Sequence, residues 1–171
     1  MNIVLIGYRG TGKSTVGKIL AKRLGLELVS TDTEVVKRAN LSIPELVQRH
    51  GWEYFRDMES TVCRDLAERN QVIIDTGGGA ILRPGNVDVL RKTGRLYWLT
   101  AGVETISKRI EHDTQRPSLT GGKSFIEEIR EVLAERTSAY QAAADCTIET
   151  DGLTVSQVAE TILRMLSSCS C

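Results

Sequence analysis

Residues 2–15 of the chain read Asn-Ile-Val-Leu-Ile-Gly-Tyr-Arg-Gly-Thr-Gly-Lys-Ser-Thr. The first five residues form an apolar, strand-like run, and the next nine contain the complete phosphate-binding pattern G-x-x-x-x-G-K-[ST]. Glycines at positions 7, 10 and 12 let the backbone curl so that its N–H groups face phosphate oxygens. A helix predicted to begin near Lys13 adds its positive dipole end at the same point. The motif predicts that the chain binds a nucleoside triphosphate.

The expected contacts to this nucleotide, ATP, come from consecutive loop residues: Gly10, Thr11, Gly12, Lys13, Ser14 and Thr15. We expect Lys13 to reach the β- and γ-phosphates and the Ser14 hydroxyl to ligate Mg²⁺. A glycine-rich turn with no ligand is the alternative interpretation, and the position of the motif directly after a strand argues against it.

The composition predicts one soluble domain spanning residues 1–171, with 41% hydrophobic and 26% charged residues. Twenty-two basic residues balance 22 acidic ones, so no net field favours nucleic acid or a membrane surface. The apolar run at the N-terminus is too short for a signal peptide and lacks a basic flank. No run approaches the roughly 20 apolar residues that cross a bilayer. We expect a cytoplasmic monomer.

Short apolar runs alternate with segments of helical periodicity. The strand-like runs lie at 2–6, 26–29, 72–74, 96–99 and 147–148. Helical spacing follows at Val16, Ile19, Leu20 and Leu24, and again over 153–166. This alternation predicts an α/β fold of three layers, with a doubly wound parallel five-stranded sheet like that of P-loop NTPases and nucleoside monophosphate kinases. Ligands then bind at the carboxyl ends of the strands.

Two stretches interrupt this alternation. Residues 32–69 have a helical pattern and are too long for a simple crossover, which predicts a helical insert that binds a second substrate. Residues 111–124 lack apolar periodicity and contain Arg116 and the hinge-like pair Gly121-Gly122. They read either as a disordered connector or as a lid that closes over phosphate.

The third strand-like run is followed by the segment Asp75-Thr76-Gly77-Gly78-Gly79. Three glycines at a strand end let backbone N–H groups approach a ligand closely, although a flexible turn would have the same composition. Asp75 has the setting of a carboxylate that positions Mg²⁺.

The predicted insert contains the segment Gly51-Trp52-Glu53-Tyr54-Phe55-Arg56-Asp57-Met58-Glu59. In a helix, Arg56 and Glu59 of this segment lie one turn apart. Alone, this pair more often forms a surface ion pair than a substrate clamp. Asp32 follows the second strand and reads either as a helix N-cap or as a cleft residue.

These segments, in this order, resemble the shikimate kinase family. The resemblance also rests on Ser30-Thr31-Asp32, Arg116-Pro117-Ser118-Leu119 and Glu135-Arg136-x-x-x-Tyr140, and it extends from residue 2 to about residue 166. It implies transfer of a phosphoryl group from Mg²⁺-bound ATP to the 3-hydroxyl of shikimate, in aromatic amino-acid biosynthesis.

The resemblance implies that Asp32 holds and deprotonates that hydroxyl, with Lys13 and Arg116 as the other catalytic residues. Arg56 and Arg136 correspond to the two arginines that bind the substrate carboxylate, for which a planar guanidinium is well shaped. The resemblance also implies that the backbone of Gly77, Gly78 and Gly79 contacts the substrate. It implies that the lid residue Arg116 neutralises the transferred phosphoryl group and that Arg109 stacks on adenine.

One position departs from the family pattern. The family commonly has Asp-x-Asp after the second strand, and the first of these, which holds Mg²⁺ through water, is Ser30 here. Position 75, often small or neutral in the family, is an aspartate. We hypothesise that Asp75 takes over the water-mediated Mg²⁺ contact. The alternative is that Asp75 only caps the glycine turn.

Three other functions remain to be weighed. A small GTPase fits the length and the loop, but the guanine-reading Asn-Lys-x-Asp is absent and Thr137-Ser138-Ala139 lies in a helical pattern. A related kinase for an acid such as gluconate is disfavoured by the paired arginines. A silent ATP-binding regulator would be expected to have lost one of Lys13, Asp32 and Arg116.

The four cysteines do not form a recognisable framework. Cys63 and Cys146 fall in predicted elements, where a free thiol acts as a small apolar side chain. Cys169 and Cys171 lie in a Ser-rich tail, about 167–171, which we expect to be frayed. A prenylation signal and an incomplete metal-binding pair are the alternatives.

Overall fold

The computed structural model describes residues 1–110 and 124–168. The strands are β1 (Asn2–Ile6), β2 (Glu27–Ser30), β3 (Val72–Asp75), β4 (Gly94–Thr100) and β5 (Cys146–Glu149). The helices are α1 (Lys13–Leu24), α2 (Thr31–Ala39), α3 (Ile43–Ala67), α4 (Pro84–Thr93), α5 (Val103–Ile110), α6 (Phe125–Ala143) and α7 (Val155–Ser167), with a 3₁₀ turn at Ala80–Leu82.

The five strands form one parallel sheet in the order β2-β3-β1-β4-β5. From β1 the chain moves to one side for β2 and β3, and to the other side for β4 and β5. The loops that follow the central strands therefore diverge and leave a crevice at the carboxyl edge of the sheet. In the β2–β3 register, Ser30 pairs with Asp75, so both lie at this edge. The predicted α/β fold is confirmed.

Helices cover both faces of the sheet, and the alternation of β1 shows how. Ile3 and Leu5 belong to a buried cluster with α1 and α7, whereas Val4 and Ile6 belong to a cluster with α2, α3, α4 and α6. Successive side chains of a strand point to opposite faces, so an uninterrupted apolar run is what a strand covered on both faces needs. The result is the predicted three-layer arrangement.

Residues 31–67 form the helical insert that the sequence predicts. Ser30 caps α2, and Ser42 caps α3 through a reciprocal capping box with Glu45. α3 is kinked at Gly51, whose φ of 83° and ψ of 169° are not helical. The kink changes the direction of α3 at the start of the segment that carries Arg56 and Glu59.

Some boundaries and buried positions in the structure differ from those predicted. β1 has the predicted bounds, and β2 is shifted by one residue. The other three strands are longer than the apolar runs that predicted them, and β4, for example, begins at Gly94. In α1, Val16 and Leu20 are buried as predicted, but Leu24 at the helix end is exposed. Across residues 1–110 and 124–168, no helix combines the length and the apolar character needed to cross a membrane. Almost all of the predicted lid, residues 111–123, and Cys169 and Cys171 lie outside the described residues.

Candidate active site

The phosphate loop connects β1 to α1 at the carboxyl edge of the sheet. Lys13 is buried, and its Nζ donates hydrogen bonds to the backbone oxygens of Gly7 (2.8 Å) and Tyr8 (3.1 Å). The Ser14 hydroxyl donates to Asp75 Oδ2 at 2.5 Å. Ser14 is thus joined to the carboxylate that ends β3, and Lys13 is folded back onto the phosphate loop.

A cleft of about 410 Å³ lies along this loop. Its walls include the whole predicted nucleotide-binding run, Gly10, Thr11, Gly12, Lys13, Ser14 and Thr15. Arg109 also lines it, held by hydrogen bonds from its guanidinium to Gly10 O (3.2 Å) and Thr150 Oγ1 (3.1 Å). Leu153 and Val155 line the same cleft and expose apolar surface. A cationic planar group and aliphatic side chains suit contact with an aromatic base.

A second cavity, on the side of the insert, is lined by aromatic and cationic side chains. Its walls are formed by Tyr8, Arg9, Ile43, Trp52, Phe55, Arg56, Glu59, Gly78, Gly79 and Arg136. Arg56 and Arg136, which sequence reasoning assigned to one carboxylate, therefore face the same space although they lie on α3 and α6. The cavity measures about 30 Å³, enough for a water molecule or two, so a larger ligand displaces side chains as it enters.

The Arg56–Glu59 pair is a buried ion pair. The Nη1 of Arg56 lies 2.5 Å from Glu59 Oε2, with 14% of the arginine side chain and none of the glutamate side chain exposed. The Arg56 guanidinium also lies 5.1 Å from the Phe55 ring centroid and 5.7 Å from that of Trp52. Burial raises the pKa of Glu59, and the charge of Arg56 opposes the rise. The alternative of a surface pair is wrong, and Glu59 orients Arg56.

The triple glycine lies against the charged groups of the site. A Cβ on Gly77 would come within 2.7 Å of Asp32 Oδ1 and 2.5 Å of Glu59 Oε1, and one on Gly79 would overlap the Arg56 guanidinium. Gly78 lies beside the phosphate loop, where an added Cβ would be 3.5 Å from Gly7 O. A larger residue at position 77 or 79 would displace these groups, whereas the added Cβ at position 78 would make only ordinary contacts. Glycines at 77 and 79 therefore allow the charged groups to approach the loop.

Asp32 lies in the first turn of α2, after the Ser30 cap. Its side chain is close to Gly77 and Glu59, and Glu59 lines the cavity. Asp32 itself is not among the described residues that line the cavity. It is therefore next to the predicted acid-binding cavity, at the end of the strand that neighbours β3.

Two contacts of this site were missed by sequence reasoning. The Tyr140 hydroxyl donates a hydrogen bond to Gly78 O, and Arg136 Nη1 donates to the same oxygen at 3.2 Å. Arg9 lines the cavity and pairs with Glu128 of α6 at 3.0 Å. The fixed spacing of Arg136 and Tyr140, four residues apart on one helix, was the available signal for the first contact. No local pattern links Arg9 to Glu128.

The oxygens of Ser14 and Asp75 are of the type that Mg²⁺ prefers. Within residues 1–110 and 124–168, no three His, Cys, Asp or Glu side chains are grouped to hold a metal by themselves. A divalent cation at this point would therefore need further ligands, such as water or the phosphate oxygens of a bound nucleotide. Ser30, across the β2–β3 register from Asp75, accepts a hydrogen bond from the Thr33 N–H as the cap of α2.

A parallel sheet of this order, a phosphate loop after β1 and a second cavity under a helical insert define a P-loop phosphotransferase of small molecules. A family model for shikimate kinase matches residues 9–167. The chain belongs to the shikimate kinase family, and its activity is the ATP-dependent phosphorylation of shikimate.

Two relatives match nearly the whole chain. The shikimate kinase of Caldicellulosiruptor bescii is 40% identical over 164 residues, covering 96% of this chain and 94% of the relative. That of Nitratidesulfovibrio vulgaris is 43% identical over 169 residues, covering 96% and 95%.

Solved structures give the same result. Shikimate kinase from Acinetobacter baumannii, in complex with shikimate, superposes with a TM-score of 0.93 at 33% identity, over 99% of this chain and 94% of that one. A gluconokinase from Sinorhizobium meliloti is similar with a TM-score of 0.57 at 16% identity, over 98% and 91%. At that identity the second likeness shows the fold alone. The GTPase alternative also fails, because Thr137-Ser138-Ala139 lies inside α6.

Proposed function

We propose that this chain transfers the γ-phosphoryl group of ATP to the 3-hydroxyl of shikimate, with Asp32 accepting the proton of that hydroxyl. The observation that carries the proposal is the triple glycine, which lies against Asp32, Glu59 and Arg56 on one side and the phosphate loop on the other. An acceptor held there would lie between a carboxylate and the ATP phosphates.

The substrate carboxylate is assigned to Arg56 and Arg136, and backbone contacts to Gly77, Gly78 and Gly79. A carboxylate entering between the two arginines replaces water with charge-assisted hydrogen bonds. Glu59 holds Arg56 through a hydrogen bond, and the charge of Arg136 also acts on the Glu59 carboxyl. Lys13 would exchange its bonds to Gly7 and Tyr8 for contacts to the β- and γ-phosphates, and Arg109 would lie on adenine.

The remaining assignments concern the whole chain. Residues 1–171 are proposed to form a single domain that acts as a cytoplasmic monomer without nucleic acid or membrane partners. Arg116, with the lid of residues 111–124, would neutralise the transferred group, an effect worth about 10³-fold or more in other phosphotransferases. The roles of Arg116 and the lid are proposed from the sequence alone, because residues 111–123 lie outside the described residues.

The function is tested by ADP release from Mg²⁺-ATP with and without shikimate, with gluconate as the alternative acid and GTP as the alternative donor. We expect turnover that depends on shikimate, at roughly 1–100 per second, and little with gluconate or GTP. Equal turnover with gluconate would overturn the substrate assignment. ATP hydrolysis that is indifferent to either acid would overturn the transfer itself.

Mg²⁺ is proposed to bind with the ATP phosphates, the Ser14 hydroxyl and, through water, Asp75. The cation supplies charge neutralisation to the phosphates when bound. Two observations support a role for the Asp75 carboxylate in binding Mg²⁺. Asp75 Oδ2 lies 2.5 Å from Ser14 Oγ. Asp75 also pairs in register with Ser30, the position at which the family usually has an aspartate. In this proposal the acidic group lies on β3, at the position that pairs with Ser30 of β2.

The swap is tested by calorimetric titration of ADP at a series of Mg²⁺ concentrations, which measures binding and not turnover. Asp75→Asn should need several-fold more Mg²⁺ for the same ADP affinity. The double variant Ser30→Asp/Asp75→Ser should return toward the original requirement, because aspartate also caps a helix and leaves the start of α2 intact. An unchanged Mg²⁺ requirement in Asp75→Asn would exclude the role.

A further inference from the structure

The peptide group between Gly78 and Gly79 is held from outside the triple-glycine loop. Its carbonyl oxygen accepts hydrogen bonds from the Tyr140 hydroxyl and from Arg136 Nη1, both on α6. The two donors lie one helical turn apart, so they reach the same acceptor from one face of the helix. A carbonyl oxygen has two lone pairs and can accept both.

Tyr140 is itself fixed in place. Only 1% of the residue is exposed, and its ring stacks on Trp98 of β4 at a centroid distance of 5.6 Å and an interplanar angle of 11°. Burial raises the pKa of Tyr140, so its hydroxyl keeps the proton that it donates. Trp98 pairs in register with Ile6, the residue before the phosphate loop. The donor is thus anchored to the sheet close to the nucleotide-binding loop.

The hydrogen bonds to Gly78 O also restrict the orientation of the next amide group, that of Gly79. The described residues contain no cis peptide bond, and in a trans peptide the C=O and the following N–H point in opposite directions. Fixing Gly78 O toward α6 therefore fixes the direction of the Gly79 N–H, in a loop that lines the acid-binding cavity. The same oxygen restrains the guanidinium of Arg136, which also lines that cavity.

We propose that Tyr140 is a positioning residue for the acid substrate: its hydroxyl fixes the Gly78 carbonyl and, through it, the Gly79 amide and Arg136. The proposal rests on the assignment of the acid to this cavity. It predicts an effect on the acid substrate that is separate from any effect on ATP, since Tyr140 does not line the nucleotide cleft.

The test is Tyr140→Phe, which removes one oxygen and keeps the ring on Trp98. Tyr97→Phe is the matched control, because Tyr97 is also fully buried and adjacent in β4, but packs in the cluster on the α1 and α7 side. We expect KM for shikimate to rise roughly three- to tenfold in Tyr140→Phe, the scale of one buried hydrogen bond. KM for ATP should stay unchanged, as should both constants in Tyr97→Phe.

A double-mutant cycle with Arg136→Lys separates positioning from general loss of structure. If both side chains act through Gly78 O, their effects on KM for shikimate should be clearly non-additive. Unchanged KM in Tyr140→Phe, an equal rise for ATP, or full additivity would each overturn the proposal. Absence of shikimate turnover in the parent protein would overturn the proposed function, and with it the acid-binding assignment on which the role of Tyr140 rests.

Discussion

At the residue scale, Gly77 has two carboxylates beside it that differ in their surroundings. Glu59 is fully buried and paired with Arg56, whereas Asp32 lies at the start of α2, where part of the residue meets solvent. The ion pair with Arg56 suits Glu59 to positioning that guanidinium. We therefore propose Glu59 as the positioning residue and Asp32, the carboxylate with access to solvent, as the base.

The first prediction concerns Asp32. Asp32→Asn removes the proton acceptor and nearly preserves shape, so kcat should fall by about 10²- to 10⁴-fold. KM for ATP should change little, because Asp32 does not line the nucleotide cleft. Steady-state ADP release measures both constants. Asp88→Asn, an exposed change on α4, is the control, and a kcat within a few-fold of the parent would contradict the base assignment.

The second prediction concerns Glu59 and pH. Burial raises the pKa of Glu59, so between its ordinary pKa and the raised one the folded state binds more protons than the unfolded state. The contribution of Glu59 to the free energy of unfolding must then fall as pH rises through that window. Urea unfolding of the parent and of Glu59→Gln, from about pH 4 upward, should show the parent losing stability relative to the variant. The opposite slope would mean that Arg56 outweighs burial.

At the element scale, α3 shows how a helix can present a site. Its first part is anchored by the Ser42 capping box, and its second part carries Trp52, Arg56 and Glu59 after the kink at Gly51. The backbone angles of Gly51 lie in a region that residues with a Cβ avoid. The kink therefore sets the direction from which Arg56 enters the cavity.

The third prediction tests that kink. Gly51→Ala should cost about 1–3 kcal/mol of unfolding free energy, since no neighbouring atom obstructs the new methyl group and only backbone strain opposes it. It should also raise KM for shikimate by shifting Arg56. Gly25→Ala, at the left-handed end of α1 and equally unobstructed, should cost about 1–2 kcal/mol without that kinetic effect. Equal KM values in the two variants would separate the kink from substrate binding.

Local signals were sufficient for most elements and for the nucleotide half of the site. A glycine-rich loop between a strand and a helix can be recognised in the sequence, and so can the uninterrupted apolar run of a strand that is buried on both faces. The acid-binding half joins α2, α3, α6 and the β3 loop, and its contacts depend on how these elements pack. Arg9 and Glu128, for example, are 119 residues apart, so only the folded chain brings them together. The kink at Gly51 was also missed, because an isolated glycine in a helical pattern fits an unbroken helix as well.

At the scale of the whole molecule, the two clefts lie on either side of the phosphate loop. Residues 10–15 line the proposed nucleotide cleft, while Tyr8 and Arg9 line the proposed acid-binding cavity. The insert packs on the same sheet as the rest, in a core cluster that joins α3 to β1 and β3. Shared packing of this kind favours one cooperative unit.

The fourth prediction follows from that shared core. Trp52 lies in the insert and Trp98 lies in β4, so the variants Trp52→Phe and Trp98→Phe each leave one reporter. The remaining fluorescence and the far-ultraviolet circular dichroism should give coincident urea transitions in both variants. An earlier transition at Trp52 would show that the insert unfolds separately.

The central claim is transfer of phosphate from ATP to one hydroxyl of an acid held by Arg56 and Arg136. It is tested most directly by phosphorus NMR of the protein mixed with Mg²⁺, ATP and shikimate, with proton correlation to locate the new bond. We predict loss of the γ-phosphate signal and the appearance of ADP and one phosphomonoester coupled to the proton at carbon 3. Inorganic phosphate as the only new product, or an ester at another hydroxyl, would contradict the account.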